Sequence, residues 1–408
     1  IIDAAAGGGY FHYAGDFNDQ QINFYQYANA FVKQGGTFSW ATDLGSGFVN
    51  SYSFYLLGSP FFWLSLAVPA RLMPWAMVPL LCLKMAVAGG GAYLWARRWV
   101  RGEGWSMLAG CLYAFSGFSI YNIFFNHFLD VVALFPYLLA ALDDAAIDGK
   151  KGRFPFWVAL NLLNNYFFFA GQAVFLIIYF FCMVAGRRYR IGLRRFAALA
   201  WETALGCACG CLLLLPAGLS LLQNPRTIDP FTGYGYLFYG KSQQYGAIFY
   251  SPFLMPDAPY FKDMFQEGIL KHTSLTAYLP LVGAAGGLAF CRTQDRHPFT
   301  RILKVCVVCA FVPVLNSAFY ALNSSFYARW YYMPILVLCG ATCCLLSRPA
   351  LAERSLPRAF GLTTFITLTA AVFAVLPNKD SDGSFCLGVL EEPARFWALF
   401  GVTVSTFE

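Results

Sequence analysis

Asp16 and Asp19 stand three residues apart in a polar, aromatic and glycine-studded stretch, FHYAGDFNDQ, ahead of a long series of apolar runs. A carboxylate can take the proton of an attacking hydroxyl or ligate a hard cation. In a helix, residues i and i+3 share one face, and in a turn both flank one cation. The plainer alternative is a pair of solvated acids or helix caps. Gly15 and the amides of Asn18, Gln20 and Gln21 surround them, which favours Asp16 as a general base, with Asp19 beside it. The metal requirement stays open, Asp16 and Asp19 being the ligands if a divalent cation is used.

Further along the chain, a few polar residues interrupt apolar runs. Lys84 lies within the run 75–97, about nine residues from one end, so roughly 13 Å deep at 1.5 Å per residue. A buried cation there needs an anion or a carboxylate, either a substrate phosphate or a structural partner such as Glu202. In FFNHFLD, His127 and Asp130 at i and i+3 suit a proton relay or a metal site beside Asn126, with helix capping by Asp130 the alternative. Asn164, Asn165, Tyr166 and Gln172 interrupt 154–186, as a cavity lining for a headgroup or as hydrogen bonds between helices. Arg329 opens the run 327–347 with Trp330, Tyr331 and Tyr332. Guanidinium suits phosphate, and aromatic rings suit sugars or polyprenyl chains. Lys271 and His272 are candidate phosphate ligands or interface markers.

The elements that must position these groups are helical and membrane-bound. The 408 residues are 58% hydrophobic and 12% charged, against about 25% charged in soluble domains, and the mean hydropathy is +0.54. The apolar runs do not alternate with polar residues, so they read as helices rather than barrel strands. Helices are expected at about 75–97, 103–122, 128–147, 154–186 (one broken helix or two halves), 196–222, 272–291, 300–321, 327–347, 357–377 and 394–408. The 13 cysteines fall mostly within these runs, as small hydrophobes, with no zinc or disulfide framework. The small residues of LAGCLYAFSGF read as a helix-packing face. No nucleotide-binding or zinc-protease motif is present.

Basic residues cluster in five short loops, around Arg97–Arg101, Lys150–Arg153, Arg187–Arg195, Arg292–Lys304 and Arg348–Arg358. The net charge of +7 thus reflects the positive-inside rule, not a nucleic-acid partner. With those loops cytosolic, 10–50, 223–271 and 378–393 face outward. The segment 55–71 then cannot cross the bilayer and reads as an interfacial or re-entrant helix broken at Pro60 and Pro69. The chain is expected to be a single transmembrane domain, 1–408, and a piece of a longer protein. Its parts are an outer platform, 10–74, a first helix group, 75–222, a second outer loop, 223–271, and a second helix group, 272–408.

GDFNDQ, FSWATDLGSG…YLLGSPF, LKMAVAGGGAYLW, LYAFSGFSIYNIFFNHFLDVVALFPYLL, NNYFFF and FYARWYYM, in this order, resemble the YfhO-type family of bacterial membrane proteins. That family is similar to the GT-C glycosyltransferases. The resemblance implies an all-α GT-C-like bundle of about ten transmembrane helices with interfacial helices in the first outer loop. It also implies a site on the outer face of the bacterial cytoplasmic membrane. The sugar would pass from a polyprenyl-phosphate donor to an envelope glycopolymer such as lipoteichoic acid. Asp16 falls on the family's loop acid, and Lys84, His127, Asp130 and Arg329 fall on motif positions. A transporter or flippase of lipid-linked sugars or polymers is the alternative. Its charges would line a path through the membrane instead of gathering at one face.

Overall fold

The computed structural model describes residues 11, 13, 15–222, 233–240, 243–256, 276–280, 282–322, 328–379, 383–388, 390 and 392–406. The chain forms two compact units. The first joins Ile1–Trp95 to Asn122–Asp229, and the second joins Ala96–Tyr121 to Pro230–Glu408. Five helical stretches among the described residues are long and apolar enough to cross a bilayer: Ala70–Ala96, Glu103–Phe125, Tyr166–Ala185, Leu193–Leu219 and Pro349–Ala374. A two-stranded antiparallel ladder, Pro377–Lys379 with Phe385–Leu387, is the sole sheet among the described residues.

In the first unit, the acidic stretch begins a π-helical turn, Phe17–Ile22, that runs into the helix Asn23–Gln34. Phe17, Gln21, Tyr25 and Ala28 are buried at near-helical spacing, so one face of this element points inward. It packs with Phe31, Phe48, Tyr52, Leu56 and Phe62 in a largely aromatic cluster. Segment 53–72 breaks into three short helical pieces, Ser53–Leu57, Pro60–Ser65 and Ala70–Leu72. Proline sets the breaks as its ring and missing N–H require. Pro60 opens one piece behind the Ser59 cap, whose side chain accepts from the Phe62 N–H, and Pro69 precedes the next. Asn29 ties the platform together, its amide donating to Ser65 O (3.0 Å) and Val68 O (3.1 Å).

The expected run 154–186 forms two half-helices, Arg153–Asn164 and Tyr166–Ala185. Asn165 makes the break. Its backbone is extended (φ −160°, ψ 104°), and its side chain accepts from the N–H groups of Phe167 and Phe168. Asn165 thereby caps the second half. At Gly58 the platform meets the end of the first half so closely that a Cβ would lie 1.6 Å from Leu163 O. Leu193–Leu222 packs along Arg153–Asn164.

In the second unit, Tyr332–Leu346 is central, packed by Glu103–Ala114, Gly283–Thr293, Pro298–Phe311 and Pro349–Thr369. The small-residue run expected to be a packing face is one: Ala109, Gly110 and Ala114 are buried in Glu103–Ala114. Several boundaries differ from expectation. The helix expected over 103–122 stops at Ala114 before a short piece, Gly117–Tyr121. The one over 300–321 breaks at Val312 between Pro298–Phe311 and Pro313–Ala318, and the one from 327 begins at Tyr332. The helix expected over 272–291 is helical from Gly283, the described residues 276–280 before it being non-helical. The one expected from 357 begins at Pro349, where proline suits the first helical position. Within 223–271, Gln243–Tyr250 is a helix whose Ile248 and Tyr250 are buried.

Candidate functional site around the first acidic turn

Asp16 is held at the start of the π-helical turn by its neighbours. Tyr13 and Asn18 hydrogen-bond reciprocally: Tyr13 N–H to Asn18 Oδ1 (3.1 Å), and Asn18 Nδ2 to Tyr13 O (2.7 Å). Gly15, at φ +50°, lies flat against the Phe124 ring, a Cβ there falling 2.8 Å from Phe124 Cε2. Positive φ and this approach together require glycine. Asp16 is half-buried and Asp19 exposed. Among the described residues neither carboxylate has a hydrogen-bond or ion-pair partner.

The turn is docked on the segment that carries His127. Phe17–Ile22 packs against Asn122–Phe125, and His127 Nδ1 lies 3.3 Å from Gln21 Oε1. The Gln21 amide nitrogen is turned the other way, donating to Gln20 Oε1 (3.1 Å), so the Nδ1–H tautomer of His127 fits. Rings of Phe54, Tyr55 and Phe128 enclose the imidazole, with centroids 5.3, 4.9 and 4.7 Å away.

Asp130 turns instead to Lys84. The ammonium lies 2.6 Å from Asp130 Oδ1 and donates to Asn126 O (3.1 Å), Asn126 Oδ1 (3.0 Å) and Tyr25 OH (3.4 Å). It also faces the Tyr25 and Phe61 rings at 5.6 and 5.7 Å. Burial, with Asp130 adding to it, holds the Tyr25 phenol well above its ordinary pKa, so its proton stays on. Lys84 thus has its carboxylate, and the partner is not Glu202, whose Oε1 accepts from Gly152 N–H at 3.4 Å. A cation whose protons all meet protein acceptors is a strut between Met73–Ala96, the Asn126 turn and the platform helix. His127 and Asp130 serve different partners, Gln21 and Lys84.

Asn165 is occupied by its cap and by donation to Phe54 O (2.9 Å), which moors the half-helix to the platform. Buried amide oxygens of Asn164 and Gln172 lack donors among the described residues. Lys271 and His272 lie outside the described residues. No group of three His, Cys, Asp or Glu side chains gathers among the described residues.

Arg329 and Tyr331 belong to the second unit. Trp330 serves the interior: it stacks on Phe319 at 4.0 Å and donates to Asn316 Oδ1 (2.7 Å). Tyr331 lines an apolar cavity of about 310 Å³ with Phe253, Phe311, Ile335 and Leu338. Sequence reasoning missed Tyr25 and gave Gln21 no specific part. Their signal is the polar stripe Gln21, Tyr25, Asn29 at i, i+4, i+8 on the buried face of the first helical element.

Over residues 1–387 the chain matches the family described as bacterial membrane protein YfhO. No curated protein and no solved structure matches it. The ordered motifs, the apolar helices and that match agree: the chain is a multi-pass membrane protein and belongs to the YfhO family.

Proposed function

We propose that this protein is a GT-C-like glycosyltransferase that moves a sugar from a polyprenyl-phosphate donor to an envelope polymer such as lipoteichoic acid. The reaction would run at the outer face of the cytoplasmic membrane. The architecture proposed is a bundle of about ten transmembrane helices with the short pieces of 53–72 lying in the interface. One observation carries the reading. Asp16 stands at the start of a turn docked on the His127 segment, yet its carboxylate has no partner of its own among the described residues. An acid positioned by its surroundings and left unpaired is available to a substrate hydroxyl.

In the proposed step Asp16 takes the proton of the acceptor hydroxyl as that oxygen bonds to the anomeric carbon. The bond from that carbon to the donor phosphate breaks, the configuration inverts, and polyprenyl phosphate leaves with the electron pair. A leaving phosphate needs a cation, a part that guanidinium chemistry suits Arg329 to play, with Lys271 as a helper. Asp19 would orient the acceptor. Lys84 and Asp130 would act by positioning, because each is already neutralised by the other. A transporter needs charges free to meet a passing substrate, and this pairing favours the enzyme.

The test is transfer from defined polyprenyl-phosphate sugars to teichoic-acid acceptors by the purified full-length protein. Asp16→Asn is expected to lower the rate by about 10²–10⁴-fold, the usual range for a general base, with melting unchanged. Undiminished transfer by that variant refutes the role of Asp16. Passage of lipid-linked sugar across vesicles without glycosidic-bond formation refutes the enzyme.

A further inference from the structure

In the second unit, Gly283–Thr293 and Pro349–Thr369 pack side by side, and at one end they leave a cavity of about 350 Å³. Arg292, Arg354 and Arg358 line it over an apolar floor that includes Leu351 and Ala359. Three guanidinium groups around one recess repel one another weakly and together attract an anion. Arg354 and Arg358 are one turn apart on the same helix face, where like charges repel. Among the described residues no carboxylate pairs with any of the three. Glu353 is exposed and adjacent in sequence to Arg354, a spacing that does not bring side chains face to face on a helix.

The hydroxyls at the rim are already spent. Thr293 Oγ1 donates to Ala289 O (2.8 Å) and Ser355 Oγ to Leu351 O (2.7 Å). The donors left for a ligand are therefore the guanidinium forks, whose planar geometry matches phosphate oxygens. The cavity lies beside the loop that carries Arg296 and the helix start that carries Arg348, the basic side that the positive-inside rule places in the cytosol. Arg354 and Arg358 stand in the early turns of a bilayer-length helix, Pro349–Ala374. At that depth a basic recess between helices meets lipid headgroups.

We propose that Arg292, Arg354 and Arg358 form a binding site for a phosphate ester or free phosphate at the basic border of the membrane, separate in residues and unit from the acidic turn. The same chemistry is offered by an anionic phospholipid and by soluble phosphate, and the experiment separates them. The purified full chain, stripped of lipid in neutral detergent, is titrated with phosphatidylglycerol, phosphatidylcholine and inorganic phosphate. Melting and native mass spectrometry read the binding.

Phosphatidylglycerol is expected to bind at least about tenfold more tightly than phosphatidylcholine, and R292Q, R354Q or R358Q each to weaken it about fivefold. R188Q/R190Q, exposed arginines of the first unit, should leave binding unchanged and so control for bulk charge. A lipid source shows as protection by phosphatidylglycerol alone, and a soluble source as arginine-dependent protection by inorganic phosphate. The site is overturned if the triple variant binds both phosphate probes as the parent does, if neither probe outperforms phosphatidylcholine, or if the control variant loses as much. All of these arginines are exposed, and a variant that melts as the parent does without ligand has kept its fold.

Discussion

At the first turn of the Phe128–Asp143 helix, Asp130 meets Lys84 at 2.6 Å with both side chains out of reach of water. Just past its last turn, Asp144 meets Arg153 at 2.7 Å and Lys150 at 3.3 Å, with both cations more than half exposed. The distances are alike and the energetics are not. Near the surface, water screens each charge whether or not the pair forms, so the net gain is about 0–1 kcal/mol. In the interior each charge has only its partner and a few dipoles, and losing one leaves the other stranded. The buried cluster accordingly supplies Lys84 with Asn126 twice and Tyr25 besides Asp130. The exposed cluster makes do with flexible side chains. Asp143, also buried, accepts from the hydroxyls of Tyr179 (3.1 Å) and Tyr189 (2.5 Å).

The comparison breaks most visibly at Lys84. Lys84→Met strands the Asp130 carboxylate and is expected to destabilise the protein by about 3–5 kcal/mol, read as a fall in melting temperature in micelles. A loss below 1 kcal/mol would mean that water reaches the pair. The second test sharpens the contrast. Lys84→Met combined with Asp130→Leu removes both charges and is expected to recover most of that loss, because an apolar pair of similar volume is often no less stable than a buried ion pair. Additive penalties from the two single changes would show that the pair is not a coupled unit. The smallest effect belongs to the far end. Arg153→Gln should cost under about 1 kcal/mol and cost still less at high salt; a salt-independent loss would place that cluster out of solvent.

Much of the helical plan was legible because hydropathy acts locally: an apolar run without alternation must satisfy its backbone internally. The proline breaks at 60 and 69 follow from ring chemistry, and the break in 154–186 from asparagine's capping habit, so both could be read from the chain alone. Lys84 announced that a carboxylate must meet it. Which one could not be read, because Asp130 and Glu202 differ only in how the helices pack, and packing is not local. Glu202 instead meets the backbone of Gly152. The aromatic residues after Arg329 show the same dependence on packing. Trp330 has the look of a sugar platform, yet its indole is spent on Asn316 and Phe319. Asp16 was chosen by its neighbours in sequence, and the seat of the adjacent Gly15 against Phe124 depends on a contact more than a hundred residues away.

Gly58 gives the platform its angle. With Leu163 O where a methyl group would go, no other amino acid fits at 58 unless the two backbones part. The Asn165 amide grips Phe54 O four residues upstream. Two fastenings so close together act as a hinge pin driven home: the short helical pieces and the end of Arg153–Asn164 share one orientation. A single hydrogen atom in place of a side chain thus fixes how the broken helix and the loop before it are aimed.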